Sequence, residues 1–150
     1  MRRNRRRRRR EPVLGAREMK ETSLDVIVRP TEIDVNAHVN NAKFVEYLEW
    51  GREEWYDLNG LEYDRLKSLG AATVTVNVNV NYRAECRQGE VLSIVTRPER
   101  LGRTSFTFHQ EIRKPDGTVA VDAAVTLVTI DPTTRKPRVV PAELAAALTS

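Results

Sequence analysis

One cysteine, two histidines and no long apolar run are what this chain of 150 residues has least of, and each scarcity removes a class of protein. Cys86 alone cannot form an internal disulfide. Two histidines beside one cysteine leave no cluster with metal-ligand spacing, so neither a metal nor another cofactor is expected. No stretch approaches the roughly 18 apolar residues that span a bilayer. The start lacks the apolar segment of a secretory signal, which makes the cytoplasm the expected location. There is no glycine-rich phosphate loop and no Gly-x-Ser-x-Gly elbow, so the serine route to acyl transfer has no support.

Acid is missing from one place in particular. Residues 1–10 hold eight arginines and no Asp or Glu. Taking those eight from the net charge of +4 leaves −4 for the rest, so the basicity belongs to a tail and the body is mildly acidic. A block of like charge repels itself and buries nothing, so residues 1–22 are expected to be a disordered Arg-rich tail. The body, 23–150, is one domain's worth of chain. Nucleic acid is not expected as a partner despite the arginines.

What is present follows a simple order. Residues 24–29 suit a short strand ending at Pro30, and 31–40 form a polar loop. Phe44, Tyr47, Leu48, Trp55 and Leu58 then recur at helical spacing among charged residues. The spacing predicts one helix over about 41–57, capped by Asn40 or Asn41 and ended near Asn59-Gly60. Beyond Gly70 the chain turns to β-structure. Val74, Val76, Val78, Val80 and Tyr82 alternate with Thr and Asn, the pattern of a half-buried strand over 73–82. Further strands are expected near 90–96, 103–113 and 118–130, the last two joined by the turn Lys114-Pro115-Asp116-Gly117. A short strand near 138–140 and a small Ala-rich helix close the chain. Strands segregated from one main helix make the fold class α+β, with an antiparallel sheet against a long central helix.

The densest group of reactive side chains is Asp34-Val35-Asn36-Ala37-His38-Val39-Asn40-Asn41, at the start of that helix. Free N–H groups and the helix dipole favour negative charge there. A carboxylate can attack a carbonyl or activate water, and the N–H groups can hold an oxyanion. Taken singly, these Asp and Asn residues are ordinary turn and cap formers.

The segment 31–55, TEIDVNAHVNNAKFVEYLEWGREEW, resembles the signature of the 4-hydroxybenzoyl-CoA thioesterase-like acyl-CoA thioesterases, which have the hotdog fold. The run from Asp34 to Asn41 is also similar to the acyl-acyl carrier protein thioesterases. So is "NYRAECRQGEVLSI" (81–94), where in those enzymes the Tyr-Arg-x-Glu-Cys run starts a long strand. The resemblance covers about residues 24–130. It implies hydrolysis of an acyl-CoA or acyl-carrier-protein thioester. Asp34 would be nucleophile or base, and the Asn41 N–H would face the thioester carbonyl. Asn36 and His38 would orient the carboxylate or water, and Glu85 would polarise the water. Cys86 reads as an ordinary strand cysteine. Arg103, with Thr104, resembles the family's turn near pantetheine and nucleotide, where Arg103 could meet a CoA phosphate. Those acyl-carrier-protein enzymes fuse two hotdog units, so this single unit is expected to complete its site by forming a homodimer or homotetramer. Glu49 in the helix reads as a solvated glutamate, His109 as structural, and Trp50 and Trp55 as core or interface aromatics.

Two other functions compete. Hotdog enoyl-thioester hydratases carry Asp-x-Asn-Pro-x-His; here the Pro is absent and His38 follows Asp34 by four residues instead of five. A non-catalytic module binding acyl thioesters would have no need of Asp34.

Overall fold

The computed structural model describes residues 21–149, so the arginines of the tail lie outside the described residues. The chain runs β1 (Thr22–Ile27), a 3-10 turn (Pro30–Glu32), α1 (Asn41–Leu58), α2 (Tyr63–Ser68), β2 (Ala72–Tyr82), β3 (Val91–Leu101), β4 (Ser105–Arg113), β5 (Val119–Ile130) and α3 (Ala142–Thr149). Five strands form one antiparallel sheet in the order β1-β3-β4-β5-β2, and α1 packs on one face of it. This is the expected α+β hotdog arrangement. No described helix is long and apolar enough to cross a membrane.

Helix α1 forms where its apolar stripe predicts. Asn40 is the N-cap, its side-chain oxygen accepting the Ala42 N–H at 2.9 Å. Phe44, Tyr47, Leu48 and Trp55 are buried against the sheet, each contributing on the order of 2 kcal/mol. Gly51 marks the closest approach. A Cβ there would lie 2.5 Å from Ile94 Cγ2 and 2.9 Å from Thr96 Oγ1, so the helix rests on β3 through bare backbone. Beside it Gln110 ties sheet to helix, donating to Leu48 O at 2.9 Å and Thr96 Oγ1 at 2.8 Å and accepting from Arg52 Nη1 at 3.1 Å.

Several expectations need correction. β1 begins at Thr22, inside the segment assigned to the tail, because it pairs with β3 from Thr22↔Thr96 onward. The short helix α2 has too few residues to show a period. β3 runs on to Leu101 past Pro98, with a register shift between Pro98 and Arg100. The expected strand at 138–140 is instead a single bridge, Ile130↔Pro137, followed by bonds from Arg138 N to Thr129 O and Val140 N to Arg103 O.

The largest departure is in β2. Its valines alternate in sequence but do not share one face. A bulge between Thr75 and Asn77 shifts the register against β5. Directly paired residues of an antiparallel ladder lie on the same face. Thr75 pairs with Leu127 and Val78 with Val125, both buried, so Thr75, Val78, Val80 and Tyr82 face α1. β2 is also an edge strand, with Val74, Val76 and Val78 exposed.

Candidate active site

The loop from Ile33 to Val39 is a closed turn. Ile33 bridges Val39, Asp34 N donates to His38 O at 3.0 Å, and Ala37 N donates to Asp34 O at 3.0 Å. Ala37 takes φ 63° to close it. Two ties fix the loop to the body. Val39 N donates to Cys86 O at 2.8 Å, and Asn40 N to Glu32 O at 2.9 Å. Glu32 is buried and accepts the Arg29 N–H at 2.8 Å. Behind it lies Tyr47, whose phenol is pushed up, first by burial and then by the Glu32 carboxylate.

Within the loop that leads into α1, Asp34 Oδ1 accepts the Asn36 N–H at 2.9 Å, which fixes the carboxylate against the turn. His38 stands between two acids. Its Nδ1 is 4.0 Å from Asp34 Oδ1, and its Nε2 is 3.9 Å from Glu85 Oε2. Glu85 comes from the loop after β2, is 53% exposed, and is held by Arg87 at 3.0 Å. Asn41 lies exposed in the first turn of α1, where helix N–H groups have no carbonyl four residues earlier in the helix. Asp34, Asn36, His38, Asn41 and Glu85 are thus gathered at one end of the sheet. Asn36 orients Asp34 through its backbone.

Arg103 and Thr104 are not part of this group. The Asp34 loop leaves β1 at Ile27, opposite Val91, whereas Arg103 follows Leu101 at the other end of β3. Ten residue steps at about 3.3 Å put them roughly 33 Å away within one chain. Thr104 has a structural role besides, its carbonyl accepting from Thr129 N and Thr129 Oγ1.

Cys86 lies in the loop after β2, not in a strand as the sequence suggested, and the run Tyr82 to Cys86 ends β2 instead of starting a strand. The thiol is fully buried. Burial, then the nearby Glu90, pushes it up to about 11, so it is a protonated thiol at neutral pH and no nucleophile. His109 bonds Glu111 on the far face of β4. Among the described residues no group of His, Cys, Asp and Glu could hold a metal.

Two contributors had no readable signal. Tyr82 donates from its hydroxyl to Asn41 O at 3.1 Å, and its ring centroid is 5.9 Å from that of Phe44, pinning the start of α1 to β2. Glu32 reads in sequence as one more polar loop residue. Only its burial reveals that it anchors the Asp34 turn.

The chain has relatives that fit this geometry. It is 35% identical over 118 residues to the long-chain acyl-CoA thioesterase FadM of Escherichia coli, covering 78% of this chain and 89% of that protein. It is 29% identical over 115 residues to the acyl-CoA thioester hydrolase YbgC of Escherichia coli, covering 77% and 86%. Among solved structures, the probable thioesterase YbaW from Escherichia coli is 34% identical and superimposes with a TM-score of 0.71, covering 86% of this chain and 96% of that one. A putative oleoyl thioesterase from Lactobacillus plantarum shares the fold, with a TM-score of 0.82 at 22% identity over 87% of this chain and 51% of that one. The family model described as thioesterase-like superfamily matches residues 28–148, and this chain belongs to that superfamily as a thioester hydrolase.

Proposed function

We propose that this protein hydrolyses acyl-CoA thioesters, with Asp34 as nucleophile or general base. The observation that carries the reading is the string Asp34–His38–Glu85 set beside the first turn of α1. The thioester carbonyl lies over that turn, and the Asn41 N–H receives the oxyanion. Asp34 either takes a proton from water as the water attacks, or attacks the carbonyl itself to give a mixed anhydride that water then cleaves to the free acid and the Asp34 carboxylate. His38 and Glu85 orient the carboxylate and water. Asn36 holds Asp34 through its N–H. The CoA thiolate leaves and is protonated.

Two relatives named for acyl-CoA hydrolysis support the choice of carrier. An acyl-acyl carrier protein thioesterase of Arabidopsis thaliana, 28% identical over 117 residues, marks the competing carrier. A panel of acyl-CoA and acyl-carrier-protein substrates, read with a thiol-detecting reagent, tests this. Turnover confined to the carrier protein would overturn it. Acid quenching during turnover followed by mass spectrometry of the protein separates the two roles of Asp34, since only the nucleophilic route leaves an acyl-enzyme.

The same proposal includes a two-fold dimer. The edge strand β2 is long and mostly exposed, its valines alternating with Thr and Asn, and such an edge needs covering. Antiparallel pairing of β2 with a second copy sets the Ala72 end of one strand beside the Tyr82 end of the other. That brings the Arg103-bearing turn of the second copy to the Asp34 end, where Arg103 and Thr104 meet the CoA phosphates. A fully active monomer by sedimentation would overturn the dimer. Residues 1–18 have no part in turnover in this reading, in the cytoplasm or in the assay, and deleting them leaves the rate unchanged.

A further inference from the structure

The first turn of α1 keeps a backbone donor open to a ligand. The Ala42 N–H bonds Asn40 Oδ1 and Asn41 Oδ1, both at 2.9 Å. The Lys43 and Phe44 N–H groups reach Asn40 O at 2.9 and 3.4 Å. The Asn41 N–H stands ahead of them at the first helical position, where the helix supplies no carbonyl for it. What such a donor is worth in catalysis depends on how firmly it is held before charge develops. On the loop side the turn is tied by Val39 N–H to Cys86 O at 2.8 Å and by Asn40 N–H to Glu32 O at 2.9 Å.

On the β2 side the tie is Tyr82. Its hydroxyl donates to Asn41 O at 3.1 Å, the carbonyl of the residue whose N–H is open. Its ring lies against that of the buried Phe44, with centroids 5.9 Å apart and planes inclined at 50°. Tyr82 pairs with Val121 at the end of β2, so the sheet holds the tyrosine in turn. The side chain is nevertheless 49% exposed, and its part in the core is small. A bond of the same kind joins α1 to β2 at the other end of the helix, from the Tyr56 hydroxyl to Thr73 Oγ1 at 3.4 Å. From Asn41 to Tyr56 is about 22 Å along the helix at 1.5 Å per residue.

We infer that Tyr82 is a positioning residue, whose hydroxyl on Asn41 O holds the Asn41 N–H where the oxyanion forms. The inference rests on placing the thioester carbonyl over the first turn of α1, as proposed above. Tyr82 acts through Asn41 alone. With the carbonyl end of that residue fixed to the sheet, its N–H end cannot rock as charge develops on the thioester oxygen, and no energy goes into reorganising the donor during the reaction. The Tyr56 bond stands too far along the helix to do the same.

The test is kcat and KM for thiol release from an acyl-CoA. Tyr82→Phe keeps the ring and deletes the bond. Its kcat falls about tenfold, within the hundredfold that a misplacement of about 1 Å can cost. KM and the pH profile of kcat stay at wild type, as for an interaction that counts only in the transition state. A merely structural tyrosine would lower Tm and leave kcat unchanged. Tyr56→Phe removes the matching bond at the other end and keeps wild-type kcat. Asn41→Pro deletes the N–H itself. Proline is favoured at the first helical position, and Asn40 before it already has the extended backbone that proline demands, with φ −61° and ψ 138°. There kcat falls about a hundredfold or more. Adding Tyr82→Phe to Asn41→Pro costs nothing further, because no donor is left to position. Circular dichroism and sedimentation confirm that each variant keeps the wild-type fold and assembly, and the two tyrosine variants carry the test should Asn41→Pro not fold. Full kcat in Tyr82→Phe, a fall carried by KM, an equal fall in Tyr56→Phe, or independent losses in the double variant overturn the positioning role. A crippled Asn41→Pro beside an unaffected Tyr82→Phe overturns that role alone and leaves the thioester placement standing. A folded, fully active Asn41→Pro removes both.

Discussion

Asp34→Asn separates a structural aspartate from a catalytic one, because the structure predicts opposite effects on stability and rate. The side chain accepts the Asn36 N–H at Oδ1, 2.9 Å away. An asparagine oxygen accepts the same bond. The other ties of the turn are backbone bonds: Asp34 N to His38 O, Ala37 N to Asp34 O, Val39 N to Cys86 O and Asn40 N to Glu32 O. None depends on the carboxylate. The stability cost is therefore within about 0.5 kcal/mol, as for a substitution that breaks no buried contact, and Tm moves by roughly 2 °C or less. What is lost is the negative charge and the basicity that the proposed mechanism places beside the thioester. Removing a positioned acid–base group lowers turnover by about a hundredfold or more, which is roughly 2.7 kcal/mol of barrier. KM changes little, because the proposed contacts to pantetheine and the CoA phosphates do not use the Asp34 carboxylate. The assay is thiol release from an acyl-CoA alongside thermal unfolding of the same preparation. His38→Ala and Glu85→Gln cost less, since His38 stands about 4 Å from each carboxylate and the proposed roles of both residues are orienting ones. A folded Asp34→Asn enzyme with full turnover refutes the reasoning and points to Glu49 or Glu85 as the working carboxylate.

How far the sequence reaches depends on the range of the interaction that decides each feature. The spacing of Phe44, Tyr47, Leu48 and Trp55 placed α1 to within a residue, because all four bury against one surface. The turn at Lys114–Gly117 was legible because its chemistry is local. Thr118 N bonds Asp116 Oδ1, and Gly117 takes φ 89°. The turn at Asp34 was legible for the same reason. The approach of Glu85 to His38 came only through the family resemblance, since the two are far apart in the chain and meet because Val39 N bonds Cys86 O. The β2 valines misled. Period two is a statement about side chains in an unbroken ladder, and the bulge at Val76 breaks the ladder without marking the sequence. The short strand at 138–140 failed for want of a partner ladder, which residue pattern does not encode. Arg103 could be named from the resemblance but not placed in the fold. Only strand order shows that it stands at the end of the sheet away from Asp34.

Three further measurements bear on the structure. Cys86→Ala retains turnover, and the native thiol resists alkylation at neutral pH until the protein is unfolded; rapid native labelling would contradict its burial. For Glu111, burial pulls the carboxyl up, but hydrogen bonds from Arg113 and His109 outweigh it and hold it below its ordinary value of 4.5. Its contribution to stability is therefore complete above that value and lost as pH falls through the folded one, so Glu111→Gln flattens the fall in urea midpoint below about pH 4.5 and leaves its slope near neutral pH unchanged. The last concerns Gly51, where two effects oppose. Alanine in a helix interior gains about 1 kcal/mol over glycine. Against this, the new Cβ would sit 2.5 Å from Ile94 Cγ2, 2.9 Å from Thr96 Oγ1 and 3.0 Å from Gln110 Nε2. Overpacking costs typically about 1–3 kcal/mol. Here it also pushes on the Gln110 amide, whose bonds to Leu48 O and Thr96 Oγ1 hold helix to sheet and whose oxygen satisfies the buried Arg52. Straining that group adds to the cost, because buried donors without partners are expensive. The balance is a net loss of about 1–2 kcal/mol, read as a Tm lower by roughly 4–8 °C. A Gly51→Ala protein with a raised Tm would mean that helix propensity wins, and that α1 does not lie on β3 through bare backbone.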